Sequence, residues 1–122
     1  MRITDISQTP RRRAPISQGP AAAILTPPES SGQLAAIHVE IPAGGGMPEH
    51  DHGPSEILLI PLSGTAELRH GHQVSVLRPG TTAHITIGER VSLANPGPQP
   101  AALMVVASPP DFASRLASWP AA

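Results

Sequence analysis

The sequence predicts an all-β fold, a sandwich or small barrel with jelly-roll topology. Sixteen prolines and eleven glycines divide the 122 residues into short pieces. Most of these pieces are rich in Val, Ile, Leu or Thr, and turn residues separate them, as in proteins built from many short strands. The chain is near the usual size of one domain. We therefore expect a single jelly-roll domain at 21–122, preceded by a polar amino-terminal arm at 1–20.

The strand and helix segments follow from composition and spacing. The carboxyl-terminal segment 108–119 is the one predicted helix, because it begins with prolines and places Phe112, Leu116 and Trp119 on one face. We expect this helix to close one end of the barrel. Eight segments have the composition of strands: 21–25, 34–41, 56–62, 65–70, 73–77, 82–87, 90–94 and 101–107.

Charge and composition exclude several classes of function. The formal net charge is -1, and the one basic run, at 11–13, lies in the polar arm, so neither nucleic acid nor an anionic membrane is an expected partner. The chain has no cysteine, which excludes disulfides, thiolate metal ligands and cysteine nucleophiles. It contains neither a signal-peptide pattern nor an apolar stretch of membrane-spanning length, so we expect a cytoplasmic protein.

The stretch PEHDHGPSE, residues 48–56, carries the clearest chemical signal. His50, His52 and Glu56 share parity, so on an extended chain their side chains point to the same face. Two imidazoles and a carboxylate make a facial ligand set suited to a divalent metal such as Fe, Mn, Ni or Zn. The alternative is a polar loop that happens to contain histidine.

The context of this stretch resembles a known family signature. Gly44, His50, His52, Glu56 and Gly64 are similar in spacing to the first motif of the cupin superfamily, G(x)5HxH(x)3–4E(x)6G. One departure is the seven residues, rather than six, between Glu56 and Gly64. We expect a β-bulge near Pro61 to absorb the extra residue, because a proline within a strand is tolerated at bulges and edges.

The second cupin motif, G(x)5PxG(x)2H(x)3N, is matched in part. Gly80, Gly88 and Asn95 stand at the family spacing, whereas Thr86 replaces the proline and Val91 replaces the last metal-binding histidine. The resemblance covers about residues 33–108. It implies a double-stranded β-helix, often dimeric, with a metal deep in the barrel mouth held here by three ligands rather than four. The ordered arm at 1–20 would then dock onto a partner barrel in a homodimer.

Four further histidines lie outside the first motif. His70 and His72 flank a turn and are expected to be solvated, and His38 is expected to be an ordinary sheet residue. His84 lies on the polar face of its strand and should point outward. The alternative for His84 is that it supplies the ligand missing at Val91.

Two classes of function follow. The first is an enzyme of oxygenase, isomerase or cyclase type in which His50, His52 and Glu56 hold the metal and a small, mostly apolar substrate binds beside it. Glu56 would be the catalytic base if metal is absent. The second is a metal-free, degenerate cupin that acts as a small-ligand binding or sensing module. The expected pocket lining is aliphatic: Met47, Leu58, Ile60, Ile85, Val91, Leu93 and Met104.

Overall fold

The computed structural model describes residues 1–122 and contains ten strands and one α-helix. The prediction of an all-β jelly roll with one carboxyl-terminal helix is confirmed. The elements are β1 (Arg12–Arg13), β2 (Ala21–Ile24), β3 (Ala35–Ile41), β4 (Gly46–His50), β5 (Glu56–Ser63), β6 (Ala66–His70), β7 (Gln73–Leu77), β8 (Ala83–Ile85), β9 (Val91–Ala94), β10 (Ala101–Ser108) and α1 (Phe112–Ala117).

The strands form two antiparallel sheets. The larger sheet has the order β1-β2-β3-β10-β5-β8, and the smaller has the order β4-β9-β6-β7. Their inner faces meet in one core of aliphatic and alanine side chains, to which both sheets and α1 contribute. The non-sequential strand orders are those of a double-stranded β-helix.

Strand β5 decides which side chains reach the interior. Ile57 and Leu59 are buried in the core, whereas the intervening Leu58 is exposed and pairs across the sheet with His84. The pairing of β5 with β10 shifts register between Ala102 and Leu103, which leaves one additional residue, Leu62, on β5. This is the bulge predicted near Pro61. It lies towards the end of the strand, so the alternation of the residues before it is undisturbed.

Three elements differ from the sequence prediction. The two-residue strand β1 and the strand β4 were not among the eight predicted segments. The helix is shorter than predicted, because residue 108 still belongs to β10 and only Phe112–Ala117 are α-helical. Its Phe112 and Leu116 nevertheless pack against the core, so α1 closes one end of the barrel as expected. No helix in the structure has the length and apolar character needed to cross a membrane.

The amino-terminal arm is held by its own chain. Arg11 bonds the Nδ1 atom of buried His38 at 2.9 Å, and Arg12 donates to the carbonyl of Trp119 at 2.8 Å. Arg12 also forms an isolated bridge with Ala121, so the two ends of the chain lie side by side. These contacts account for the order of the arm within its own chain, without docking onto a partner barrel. The predicted homodimer stays a prediction.

Candidate functional site: an apolar cavity with two histidines

A partly open cavity of about 140 Å³ lies between the two sheets, and side chains of α1 line one part of it. Both sheets contribute aliphatic walls to it, and Phe112 and Trp119 cover the end where α1 packs. Three polar side chains interrupt this lining: His50, His52 and Arg115. The cavity is therefore an apolar chamber with its polar groups gathered beside β4 and α1.

Strand β4 positions the histidines. It pairs with β9, and His50 lies directly opposite Val91. The start of β4 runs so close to β9 that a Cβ atom on Gly46 would lie 2.2 Å from the carbonyl oxygen of Leu93, so only glycine fits there. Val91 is 3% exposed and lines the cavity, as His50 does.

The loop after β4 is tied to the helix. The hydroxyl of buried Ser55 donates to the carbonyl of Pro109 at 2.6 Å and accepts from the backbone N–H of Phe112 at 3.1 Å. The ring of Phe112 in turn meets the edge of His52, with ring centroids 4.7 Å apart. These contacts connect α1 directly to the histidine pair.

The two imidazoles are neighbours with different environments. Their ring centroids are 4.7 Å apart in an edge-to-face arrangement. The Nδ1 atom of His50 lies 2.8 Å from the carbonyl oxygen of Pro48, and because a carbonyl only accepts, Nδ1 carries the proton and donates. In the neutral ring this leaves the Nε2 atom of His50 as a bare hydrogen-bond acceptor.

His52 is the more buried of the two. It is 5% exposed, and its Nδ1 atom is buried without any hydrogen-bond partner in the protein. Burial, above all, lowers the pKa of His52 to about 4, and the nearby His50 and Arg115 act in the same direction to a smaller extent. His52 is therefore neutral at pH 7, and one of its nitrogens has an unmet capacity for hydrogen bonding.

The structure does not bring Glu56 to the histidines. Its side chain is half exposed on the outer face of β5, where it contacts the Nε2 atom of His84. The prediction that Glu56 shares a face with His50 and His52 is wrong, because a turn at residues 53–54 separates them. Strand alternation holds only within one continuous strand, and the turn resets it. Glu56 is therefore neither a metal ligand nor a base in this cavity.

The residue that occupies the inward position is Ile57. It is 1% exposed and follows His52 after four residues, and six residues separate it from Gly64, so it satisfies both spacings of the first cupin motif. Those two counts were the sequence signal that could have identified it. With Ile57 at this position and Val91 at the other, aliphatic side chains replace two of the family's four metal-binding positions.

The donor set of the cavity does not match that of the predicted metal centre. Nowhere in the chain do three or more His, Asp or Glu side chains come together in a way that could hold a metal ion. The cavity offers two imidazoles, one fewer protein ligand than the three typical of catalytic sites. The residues present therefore do not fit the predicted Fe, Mn, Ni or Zn centre. His84, the possible replacement ligand, faces outward as its strand pattern indicated and does not line the cavity.

The structure places the seven residues of the predicted pocket lining in two groups. Four of the seven aliphatic residues line the cavity: Met47, Ile85, Val91 and Leu93. Three do not: Leu58, Ile60 and Met104. Met104 and Ile60 pair with each other and lie, with Leu58, on the outer face of the larger sheet, one residue out of phase with the inward Leu59, Leu103 and Val105.

Sequence reasoning missed Arg115. This residue lies on α1 and reaches back to the loop after β4, where its Nη1 atom donates to the backbone carbonyl of Asp51 at 3.0 Å and its Nη2 atom to the Asp51 carboxylate at 3.3 Å. The Gly53 N–H and the Arg115 guanidinium hold the pKa of that carboxyl below its usual range. No local pattern marks an arginine on a helix of this kind, because its place depends on how the helix docks.

The chain belongs to the cupin family. The family model described as "Cupin domain" matches residues 37–107, more than half of the chain. No curated protein matches the sequence closely enough to count as a relative.

Similar solved structures share the fold at low identity. An uncharacterized conserved protein with a double-stranded β-helix domain from Klebsiella pneumoniae is 19% identical, with 92% of this chain and 93% of that chain covered and a TM-score of 0.74. A predicted oxalate decarboxylase from Thermotoga maritima is 17% identical, with 88% and 98% covered and a TM-score of 0.77. The polyketide cyclase RemF from Streptomyces resistomycificus is 18% identical, with 88% and 79% covered and a TM-score of 0.78. At these identities the likeness shows the fold alone.

Proposed function

We propose that this cupin binds a small, mostly apolar organic molecule in the cavity between its sheets, and that the histidine pair holds the polar group of that molecule. The observation that carries the proposal is the composition of the cavity lining, in which His50, His52 and Arg115 are the polar side chains among aliphatic and aromatic ones. Sites for small organic molecules are typically apolar clefts with a few polar groups that orient the ligand, and this lining has that composition.

The size of the cavity limits the ligand. A volume of about 140 Å³ is comparable to that of an apolar protein cavity that accepts a benzene ring. The bare Nε2 atom of His50 favours a ligand that donates a hydrogen bond. A six-membered ring with one hydroxyl group is the simplest molecule that meets both conditions.

Phenol and toluene form a matched pair of probes for this proposal. Titrations followed by two-dimensional NMR should show phenol binding more tightly than toluene, because its hydroxyl group meets an imidazole acceptor. Val91→Phe should abolish binding of both, since the larger ring fills the cavity. Val76→Phe is the control, because Val76 is exposed on β7. Absence of binding to the wild-type protein, or equal binding by the Val91 variant, would contradict the proposal.

A second candidate function is proton transfer of isomerase or cyclase type on the bound molecule. The observation that favours it is the hydrogen bond from His50 to Pro48, which fixes the tautomer and leaves the Nε2 atom of this cavity-lining residue able to accept a proton. RemF, a polyketide cyclase, and a sugar phosphate isomerase from Silicibacter pomeroyi share the fold, at TM-scores of 0.78 and 0.75. The proposal includes no oxygenase step, because the donor set does not fit a metal.

The proton-transfer function is tested by hydrogen exchange in a carbonyl compound. Cyclohexanone is small enough for the cavity, and transfer of an α-proton to the Nε2 atom of His50 followed by return of a deuteron from the solvent would label it in deuterated buffer. Proton NMR should show exchange above the buffer rate with the wild type and with His72→Gln, whose histidine lies in an exposed turn. His50→Gln should reduce exchange to the buffer rate, and equal exchange by both variants would refute the role of His50.

A further inference from the structure

We infer that the molecule bound in the cavity is a small apolar carboxylate, and that Arg115 at the cavity wall is the residue that recognises its charged group. This inference rests on the proposed binding function, and it adds the chemical class of the ligand and a specificity-determining residue. Arg115 is the one cavity-lining side chain that is charged at every physiological pH.

The guanidinium of Arg115 is fixed before any ligand arrives. Two hydrogen bonds to Asp51 hold it, one to the backbone carbonyl and one to the carboxylate. It also lies over Gly53, where φ is +60°, and a Cβ atom at that position would be 2.8 Å from Nη2. A preorganised arginine loses less conformational freedom when it binds an anion.

Arg115 retains donors for a ligand. A guanidinium has five N–H donors, and the protein uses two of those on Arg115. Its side chain is half exposed and lines the cavity, so the guanidinium is accessible to a ligand. The Asp51 carboxylate is shared between two arginines. One of its oxygens accepts from Arg115 and the other accepts from Arg90 at 3.2 Å, so Asp51 does not neutralise the charge of Arg115 completely. Arg90 in turn is shared with Glu49.

The shape of the site favours a carboxylate with an apolar body. The inner wall is aliphatic and aromatic, so the body of the ligand would be buried there while its charged end stays at the half-exposed arginine. The planar guanidinium matches the geometry of a carboxylate, which can accept two parallel N–H bonds. The two imidazoles are the other polar groups within reach, and they would meet a further polar group of the ligand rather than its charge.

Benzoate and benzamide test the inference, because they have nearly the same size and shape and differ in charge. Isothermal titration of the wild-type protein should give a dissociation constant for benzoate at least about tenfold below that for benzamide, the factor expected from one charge-assisted contact. Arg115→Gln should remove this preference, so that the variant binds benzoate no more tightly than it binds benzamide. Arg115→Lys should restore part of it, because the charge returns without the planar fork.

The control is Arg78→Gln, which removes an exposed arginine from a turn that does not line the cavity. It should keep the full preference for benzoate. Equal binding of benzoate and benzamide by the wild type, or a preference that survives in Arg115→Gln, would overturn the inference and leave the cavity proposal standing. Failure of both compounds, together with phenol, to bind the wild type would overturn the cavity proposal and the inference with it. Circular dichroism of each variant checks that the fold is retained.

Discussion

The burial of His52 in its neutral form predicts a loss of stability in mild acid. Its pKa is lowered from 6.5 to about 4 in the folded protein, so between these values the unfolded chain binds a proton that the folded chain does not. The free energy of unfolding therefore falls as the pH drops through 6.5 and levels off below about 4. Above pH 6.5 the free energy of unfolding contains the full contribution of His52.

The magnitude follows from the same two pKa values. At pH 5 the difference in proton binding corresponds to about 2 kcal/mol, and the full shift corresponds to roughly 3 kcal/mol as an upper bound. The measured value should be somewhat smaller, since local opening lets water reach the ring. His38 contributes in the same direction, because burial and the neighbouring Arg11 lower its pKa as well.

Urea denaturation at pH 7.5 and pH 5.0, with a chelator present, measures the effect. The wild type should lose about 2 kcal/mol more than His52→Leu between these two pH values, because leucine does not titrate. His72→Leu, which removes an exposed histidine, should behave as the wild type does. If the wild type and His52→Leu lose the same stability, His52 is not held neutral by burial and the account of the site is wrong.

Three further predictions test the metal analysis, the site strand and the assembly. Ile57→Glu combined with Val91→His should create a metal site. Zinc should then raise the melting temperature of the double variant more than that of the wild type or of Val91→His alone. An unchanged melting temperature in zinc would mean that these positions do not converge on His50. Gly46→Ala should lower the free energy of unfolding in urea by more than about 1 kcal/mol, because the added Cβ atom collides with the β9 backbone. Gly32→Ala is the control and should lower it less, since position 32 has open space around it. Equal losses would contradict the close approach of β4 and β9. The homodimer should give a dimer mass by light scattering with or without residues 1–10, since the arm is held within its own chain, and a monomer mass at all concentrations would refute it.

Much of the barrel was predictable from local sequence. Period-two patterns and turn residues located the eight predicted strands to within one or two residues, and the proline at position 61 within a predicted strand indicated the β5 bulge. These features are local, because strand formation and turn geometry depend mainly on neighbouring residues. The strand β4 was missed because GMPEH has no apolar alternation, and its pairing with β9 is what makes it a strand.

The candidate site was likewise predictable only in part. The sequence alone identified His50 and His52 as the polar pair and Val91 as the residue facing them, because motif spacing fixes which residues of β4 and β9 oppose each other. The sequence analysis placed Glu56 rather than Ile57 on the inward face, because it carried strand alternation across the turn at 53–54, where the alternation is reset; the pairing of β5 within the larger sheet determines which side chain points inward. The place of Arg115 was likewise decided by tertiary structure, because the docking of a six-residue helix over a distant loop is set by packing contacts that no local pattern encodes.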